Sequence, residues 1–245
     1  YAYQLYLVFG WQILFTMSDG QPITIAAKCA PVEEILANVE KAGLTAVELY
    51  TNFDYLHKIK SIKKTCKKFS FRYAVHAPND CFEPDFLAEL VEGLKAEVVI
   101  FHDIFWYDEW ERIAMVFNDI KTKVCIENTH SVHEPLKLMR RFNMKRCLDL
   151  EHLEMQCAGV YEEEFLPVIR QAAHIHLTGY FYGSDLWHTQ IHHSPEHSVY
   201  FLDLLVKAGY SGFVVSEAKP SFQIYEEFKK LNNFYKLWKS KLDIK

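Results

Sequence analysis

The sequence has little of what marks a basic, a disulfide-linked or a nucleic-acid-binding protein. Its 245 residues carry 27 Lys and Arg against 32 Asp and Glu, a net charge of -5, so the chain as a whole does not attract polyphosphate. Several cysteines lie in apolar runs, where a reduced thiol packs as a small hydrophobic group. No paired CxxC spacing occurs among the six cysteines: Cys29, Cys66, Cys81, Cys125, Cys147 and Cys157. We therefore expect a cytoplasmic protein that binds neither nucleic acid nor membranes.

A long, well-flanked apolar segment is also missing. Residues 1–17 are apolar and aromatic, but Gln4 and Gln12 interrupt them and no basic residue precedes them. The stretch is too short and too poorly flanked for a transmembrane helix or a signal peptide. We expect a packed or irregular N-terminal extension over residues 1–22. Because the sequence starts at Tyr1 rather than Met, we also expect a fragment or a processed form, with Met17 as a candidate natural start.

From residue 23 onward, short β-branched runs alternate with helical patterns, which is typical of βα units that close a parallel sheet. Strands are predicted over residues 23–29, 46–50, 71–76, 97–102, 123–128, 146–150, 173–177 and 212–217. Helices are predicted over residues 32–42, 55–68, 84–96, 108–121, 133–142, 162–172, 198–208 and 222–242. No repeat, low-complexity tract or Pro/Gly linker interrupts the series. Residues 23–245 are therefore predicted to form one α/β domain, a single (β/α)8 TIM barrel behind a short N-terminal extension.

Each predicted strand is apolar until its last residue or two, so polar side chains should gather at one end of the barrel. In β/α barrels that end carries the active site, because the loops after the strands surround a shared mouth. Gly43 and Gly209 stand where the C-terminal cap of a helix is expected. The longest connection, residues 178–196, is expected to be a lid or substrate-contacting segment without secondary structure.

Polar residues mark the ends of the last four predicted strands: Glu127, Asp149, His152, His176 and Glu217. Oxygen ligands with one or two imidazoles suit a divalent ion such as Mn, Mg, Co, Fe or Zn. Carboxylates that face one axis would repel each other, and a divalent cation removes that repulsion. Taken singly, such an acidic residue is more often a helix cap or a partner of an arginine such as Arg146. His174 is expected to be a core histidine that points away from His176.

The order of Glu127, Asp149 with His152 three residues later, His176 and Glu217 resembles the xylose isomerase-like barrel superfamily. This superfamily groups sugar isomerases and 3-epimerases with the endonuclease IV type of abasic-site nuclease, and the resemblance covers nearly the whole chain from residue 23. For the isomerase branch it implies a metal held by Glu127, Asp149, His176 and Glu217 and no organic cofactor. It also implies that Glu127 and Glu217 act as acid and base on opposite faces of an enediolate. His152 would contact a substrate oxygen or tune the metal shell.

The nuclease branch implies a three-metal site with further histidines after the third and fourth strands. His76, His102 and the loop residue His192 are therefore candidates for further metal or substrate binding. However, Gln190 replaces the Asp expected two residues before His192, and Asn79 replaces the expected Tyr. These two differences from the nuclease pattern, together with the net negative charge of the chain, disfavour cleavage of abasic DNA.

Three functions are compatible with these residues. We favour a metal-dependent isomerase or epimerase acting on a small sugar or sugar derivative, over a multi-metal phosphodiesterase of the endonuclease IV type and over a barrel that has lost catalysis. A homo-oligomer is also considered, since the apolar N-terminal stretch could cover a neighbouring subunit. Aromatic residues after the strand ends either wall a sugar pocket or lie at the mouth by chance. They are Tyr50, Phe53, Phe105, Trp106, Tyr180, Phe181, Tyr182 and Trp187.

Overall fold

Parallel strands close into an eight-stranded barrel in the part of the chain that the computed structural model describes, residues 23–156, 162–184 and 186–242. The strands are β1 (Thr24–Cys29), β2 (Ala46–Tyr50), β3 (Arg72–His76), β4 (Val98–His102), β5 (Lys123–Glu127), β6 (Lys145–Asp149), β7 (Ala172–Leu177), β8 (Gly179–Tyr180), β9 (Trp187–Thr189) and β10 (Phe213–Ser216). Strands β1 to β7 pair in sequence order, and β10 joins β7 to β1. The predicted TIM barrel is confirmed. The expected N-terminal extension, Cys157 and Asp185 lie outside the described residues.

Helices cover the outside of the barrel, mostly between consecutive strands. They are α1 (Glu33–Lys41), α2 (Phe53–Leu56), α3 (Ile59–Cys66), α4 (Pro84–Leu94), α5 (Tyr107–Phe117), α6 (Pro135–Phe142), α7 (Leu150–Gln156), α8 (Glu162–Ile169), α9 (Pro195–Lys207) and α10 (Tyr225–Leu242). Gly43 and Gly209 follow α1 and α9 with φ of 83° and 75°, which confirms both predicted caps. Among the helices described, none has the length and apolar composition needed to cross a bilayer.

One predicted helix, one helix that was not predicted and one predicted loop differ between the sequence analysis and the structure. The single helix expected over residues 55–68 is wrong, because Lys58 has φ of -119° and ψ of 22° and separates α2 from α3. Helix α7 was not expected, and it begins directly after the end of β6. The 178–196 connection is not free of secondary structure, since β8 and β9 form an antiparallel hairpin and Ile191–His193 form a 3-10 turn.

The strand residues divide into two cores according to the period-two alternation of a β-strand. Residues such as Ile25, Val47 and Val75 point outward and pack against the helices. Residues of the other parity, such as Ala26 and Ala46, point into the barrel. The inward positions in the lower part of the barrel are mostly small or aliphatic, with Phe213 as an aromatic exception, and the polar side chains lie at the mouth.

Candidate metal centre

Every barrel strand brings a charged or imidazole side chain to the mouth, two residues after an inward-facing residue. Because side chains two apart on a strand share a face, each polar side chain points into the barrel like the residue below it. The inward pairs are Ala26 and Lys28, Ala46 and Glu48, Ala74 and His76, Ile100 and His102, Cys125 and Glu127, Cys147 and Asp149, His174 and His176, and Val215 and Glu217. The end of the barrel is therefore a ring of ionisable groups over a floor that is apolar except for His174.

Four side chains that the sequence predicts as metal ligands meet in this ring. Each of Glu127, Asp149, His176 and Glu217 offers one ligand atom, and these atoms lie within 4.8 Å of one another. His176 Nδ1 lies 3.3 Å from Glu127 Oε2 and 3.2 Å from Glu217 Oε2. Glu127, Asp149 and His176 are only 1%, 3% and 1% exposed. This is the spacing and burial of a site that can surround one divalent cation.

The hydrogen bonds of His176 leave one ring nitrogen for such a cation. Its Nε2 lies 3.1 Å from Glu48 Oε2, and a carboxylate can only accept, so Nε2 carries the proton. Nδ1 faces Glu127 and Glu217 and has no hydrogen bond of good geometry among the described residues. Burial lowers the pKa of His176, but Cys147 and the three nearby glutamates raise it well above the ordinary value, so Nδ1 is also protonated while no cation is bound. A divalent ion could take the place of that proton, and a carboxylate behind a ligating histidine is the usual arrangement.

The electrostatics of the ring also favour a bound cation. Burial raises the pKa of Asp149 to about 7, and the negative charges of Glu127 and Glu217 add to the shift. Burial acts in the same direction on Glu127, but His176 and hydrogen bonds from neighbouring imidazoles hold its pKa well below the usual range. The carboxylates therefore carry more negative charge than their neighbours neutralise, and a divalent ion would keep Asp149 ionised.

His76 and His102 form a second group around the same glutamate. Their Nε2 atoms lie 3.1 Å and 3.3 Å from Glu127 Oε2. His76 Nδ1 lies 2.9 Å from the carbonyl oxygen of Ala77 and its Nε2 faces the Glu127 carboxylate, so both ring nitrogens face acceptors and a neutral ring can donate to only one of them. Burial and the charge of Lys28 lower the pKa of His76, which disfavours a second proton there. Glu127 thus lies between two sets of potential metal ligands.

His152 lies at the edge of the ring rather than inside it. Its Nδ1 lies 2.8 Å from the carbonyl oxygen of Asn128 and 3.7 Å from Asp149 Oδ2. The His152 amide donates to Asp149 Oδ1 at 2.8 Å, and the Asn128 side chain bonds both the amide and the carbonyl of Asp149. This network fixes the Asp149 carboxylate, while the imidazole of His152, 28% exposed, remains open to a ligand at the mouth.

Sequence reasoning missed two charged residues of the ring, Lys28 and Glu48. The Lys28 ammonium contacts Glu217 and lies 3.6 Å from Glu48 Oε1. Burial alone would lower the pKa of Lys28, but Glu217 and Glu48 raise it above the ordinary value, so the amine stays protonated. The signal was present in the sequence. A Lys within TIAAKC and a Glu within AVELY are charged residues inside apolar strands, and such residues are rarely buried without a partner.

The predicted orientation of His174 is wrong. His174 and His176 are two residues apart, so the alternation that was expected to separate them places both inside the barrel. His174 Nε2 lies 2.7 Å from Glu48 Oε2, the same oxygen that His176 contacts. Arg146 does not pair with the acidic ring either, since its guanidinium donates to the carbonyl oxygen of Val132 at 2.7 Å.

His192 lies apart from the ring. Its Nε2 is 3.2 Å from a carboxylate oxygen of Glu227 on α10, beside His193.

Among the aromatic residues expected at the mouth, Tyr50 borders the cavity described below, whereas Trp106 and Tyr182 are 79% and 96% exposed.

A cavity of about 310 Å³ opens beside the ring on the side of β1 to β4. This volume suits a small ligand. Its lining combines hydrogen-bonding groups with one aromatic ring: Lys28, Tyr50, Thr51, Asn52, His76, Ala77, Asn79, Asp80, His102 and Glu217. Lys28, His76, His102 and Glu217 belong to both the cavity and the ring, so a ligand in the cavity would contact Glu217, one of the four candidate metal ligands.

No protein-family model matches the sequence, and no curated protein matches it. Many solved structures share its fold. An L-ribulose 3-epimerase aligns with a TM-score of 0.55 at 14% identity, over 92% of this chain and 97% of the other. Phosphoribosylanthranilate isomerase from Thermotoga maritima aligns with a TM-score of 0.55 at 12% identity, over 87% and 98%. An uncharacterized protein from Parabacteroides distasonis gives 0.59 at 13% identity, over 86% and 98%. At these identities the similarity establishes the TIM-barrel fold alone.

Proposed function

We propose that the protein is a divalent-metal-dependent isomerase or epimerase that acts on a small sugar or sugar derivative, in a xylose isomerase-like barrel. The observation that carries this proposal is the convergence of Glu127, Asp149, His176 and Glu217 beside a cavity of about 310 Å³. The L-ribulose 3-epimerase among the structures of the same fold supports the choice of substrate class.

Glu127, Asp149, His176 and Glu217 would hold the metal in this proposal. A bound Mn, Mg, Co, Fe or Zn ion would polarise the carbonyl and hydroxyl oxygens of the substrate. Glu127 and Glu217 then move the proton at the carbon next to the carbonyl, one as base and one as acid, through an enediolate. Lys28 and His176 hold the pKa of Glu217 below the ordinary value, against the effect of burial, so Glu217 is ionised.

The remaining cavity residues would bind and orient the substrate. The Lys28 ammonium lies where it can stabilise negative charge on a substrate oxygen. Asn52, Asn79 and Asp80 offer donors and acceptors suited to hydroxyl groups, and Tyr50 offers an aromatic wall. A polyol matches this lining, because it needs several hydrogen bonds within a small volume.

The proposed proton transfer can be tested by solvent exchange. The protein with Mn²⁺ is incubated in D₂O with a panel of ketoses, aldoses and their acids, and ¹H NMR follows the signal of the carbon-bound proton next to the carbonyl. We expect this signal to disappear for the substrate, and we expect Glu127→Gln and Glu217→Gln each to slow its loss by roughly 10²–10⁴-fold. Glu97→Gln, on the outer surface beside Arg72, is the control. Full turnover in both mouth variants would refute the mechanism.

A phosphodiesterase with more than one metal is the second candidate, and the group formed by His76, His102 and Glu127 favours it. Two metals that share Glu127 could bind the attacking and leaving oxygens of a phosphodiester. The double variant His76→Ala/His102→Ala should lose one metal equivalent relative to the wild-type protein in elemental analysis. Cleavage of an abasic DNA duplex by the wild-type protein, lost in this variant, would favour the phosphodiesterase over the epimerase.

A further inference from the structure

A second histidine and carboxylate cluster lies outside the barrel interior. His192 and His193 belong to the 3-10 turn Ile191–His193 that follows β9, and Glu227 lies in the first turn of α10. The Nε2 atoms of His192 and His193 lie 3.2 Å and 2.5 Å from the same oxygen, Oε2 of Glu227. Three potential ligand atoms from two separate elements therefore meet at one point.

The His192 ring is buried and its polar atoms are poorly satisfied. Its side chain is 9% exposed, Nδ1 has no hydrogen-bond partner among the described residues, and Nε2 faces the Glu227 carboxylate at 3.2 Å without the geometry of a hydrogen bond. A neutral imidazole carries one N–H and one lone pair, and leaving both unsatisfied in the interior costs about 1–3 kcal/mol for each group. A ligand that takes the Nε2 lone pair, which points toward Glu227 and His193, would satisfy one of the two.

One of the two distances to Glu227 Oε2 equals the spacing of neighbouring ligands around a metal ion. Zinc binds histidine nitrogen at roughly 2.0–2.1 Å and carboxylate oxygen at roughly 2.0–2.2 Å, so tetrahedral neighbours lie ~3.3 Å apart. The 3.2 Å between His192 Nε2 and Glu227 Oε2 matches this spacing. The 2.5 Å contact of His193 is a hydrogen bond that would lengthen on binding.

The surroundings keep His192 able to bind a cation. Burial and the neighbouring His193 lower the pKa of His192 to about 4, so its ring is neutral at physiological pH. Phe181 and Phe222 flank the His193 ring on the turn side. Lys230 is paired with the other oxygen of Glu227 at 2.9 Å, but its side chain is 59% exposed and can turn away toward solvent.

We propose that His192, His193 and Glu227 form a second metal site, distinct from the ring at the barrel mouth, that binds a borderline divalent ion such as zinc. Two imidazoles and one carboxylate leave a fourth position for water, as in zinc sites with three protein ligands. The ion would join the segment after β9 to helix α10. Nitrogen ligands favour Zn²⁺ over Mg²⁺ at this site.

The test is to measure zinc binding in a variant that lacks three of the four candidate metal ligands at the barrel mouth. In the Glu127→Gln/Asp149→Asn/Glu217→Gln variant, Zn²⁺ is titrated in competition with a chromophoric chelator, and Co²⁺ is added separately to record its visible absorption. We expect one zinc equivalent, a tetrahedral Co²⁺ spectrum and no competition from excess Mg²⁺. Adding Glu227→Gln or His193→Ala should weaken zinc binding at least ~100-fold, more than the loss of an outer-sphere partner.

Lys230→Ala is the matched control, because it removes a charge from Glu227 without removing a ligand. We expect it to leave zinc binding unchanged or tighter. Should Glu227→Gln unfold the protein, His192→Asn serves in its place. Zinc binding that is equal, within threefold, in the background and in the folded ligand variants would overturn the site. Its failure would leave the proposed activity at the mouth untouched, since that activity is measured separately with Mn²⁺.

Discussion

Glu48 determines how the His176 imidazole faces the candidate metal ligands. One oxygen of Glu48 accepts from both His174 and His176, and the residue is completely buried in the middle of β2. Burial raises the pKa of Glu48, but His176 and the two hydrogen bonds bring it well below the ordinary value. The carboxylate therefore stays ionised within the ring and keeps a proton of His176 on Nε2.

We expect Glu48→Gln to weaken metal binding at the mouth by about 10–100-fold, because the neutral amide holds His176 Nε2–H less strongly. Calorimetric titration with Mn²⁺ measures the loss, and ¹⁵N NMR of the histidine rings reports whether Nε2 still carries the proton. Glu97→Gln is the control, since it removes a carboxylate far from the ring. Unchanged affinity with a mixed tautomer of His176 would show that Glu48 has no positioning role.

Glu48 is expected to strengthen metal binding, whereas Lys28 is expected to weaken it, because the Lys28 ammonium competes with a metal ion for Glu217. We expect Lys28→Met to tighten Mn²⁺ binding by roughly tenfold, about 1.4 kcal/mol, while it lowers both turnover and stability. Stability should fall because Glu48 is left buried without its nearby cation, which costs about 3–5 kcal/mol for a broken buried pair. Calorimetry and urea unfolding measure the two effects. Weaker Mn²⁺ binding would show that Lys28 supports the metal instead.

At the scale of elements, the β8–β9 hairpin shapes the connection between the ring and the His192 cluster. The first residue of β8, Gly179, lies against the chain just after β9, where an added Cβ would come within 2.3 Å of the carbonyl oxygen of Gln190. The Gln190 side chain donates to the carbonyl oxygen of Phe222 and accepts from Ser216 at the end of β10. The hairpin is thus anchored from both sides.

We expect Gly179→Ala to destabilise the protein by about 1–3 kcal/mol, because the clash is with backbone that cannot move alone. Gly93→Ala in α4 is the matched control. Its Cβ meets only the end of the flexible Lys63 side chain, and we expect it to be neutral or stabilising by up to ~1 kcal/mol. Urea unfolding of both variants measures the difference, and equal stabilities would contradict this account of the hairpin.

The barrel strands could be predicted from sequence because each is a short apolar run between turn signals, and all eight lie within two residues of their predicted bounds. Helix α7 could not, because its first turn overlaps the polar residues that mark the end of β6. Lys28 and Glu48 were not predicted as site residues, because the prediction used polar residues at strand ends. Whether a strand residue points into the barrel depends instead on its alternation along the strand. The contact between His192 and Glu227 could not be predicted from sequence, because tertiary folding brings α10 next to the turn after β9.

At the scale of the whole molecule, the barrel gathers its ionisable groups at one end of an otherwise apolar interior. A folded chain that concentrates negative charge in this way is stabilised by a cation that the unfolded chain cannot bind with the same geometry. The homo-oligomer and the absence of nucleic-acid binding, both expected from the sequence, stay predictions. Thermal unfolding of the wild-type chain should therefore depend on the metal.

We expect an ion present at about 100 times its dissociation constant to add ~2.7 kcal/mol to the free energy of unfolding. For a chain of this size that corresponds to a rise in Tm of roughly 5–10 °C. Circular dichroism of EDTA-treated protein with and without Mn²⁺ measures the shift, and the Asp149→Asn/Glu217→Gln variant should lose it because two of the four ligands are gone. Zinc distinguishes the ring from the His192 cluster. The Asp149→Asn/Glu217→Gln variant should keep a rise in Tm with Zn²⁺, and adding Glu227→Gln should remove that rise. A Mn²⁺-induced shift that survived in the mouth variant would place the stabilising ion away from the ring, because the fold would then be stabilised without these carboxylates.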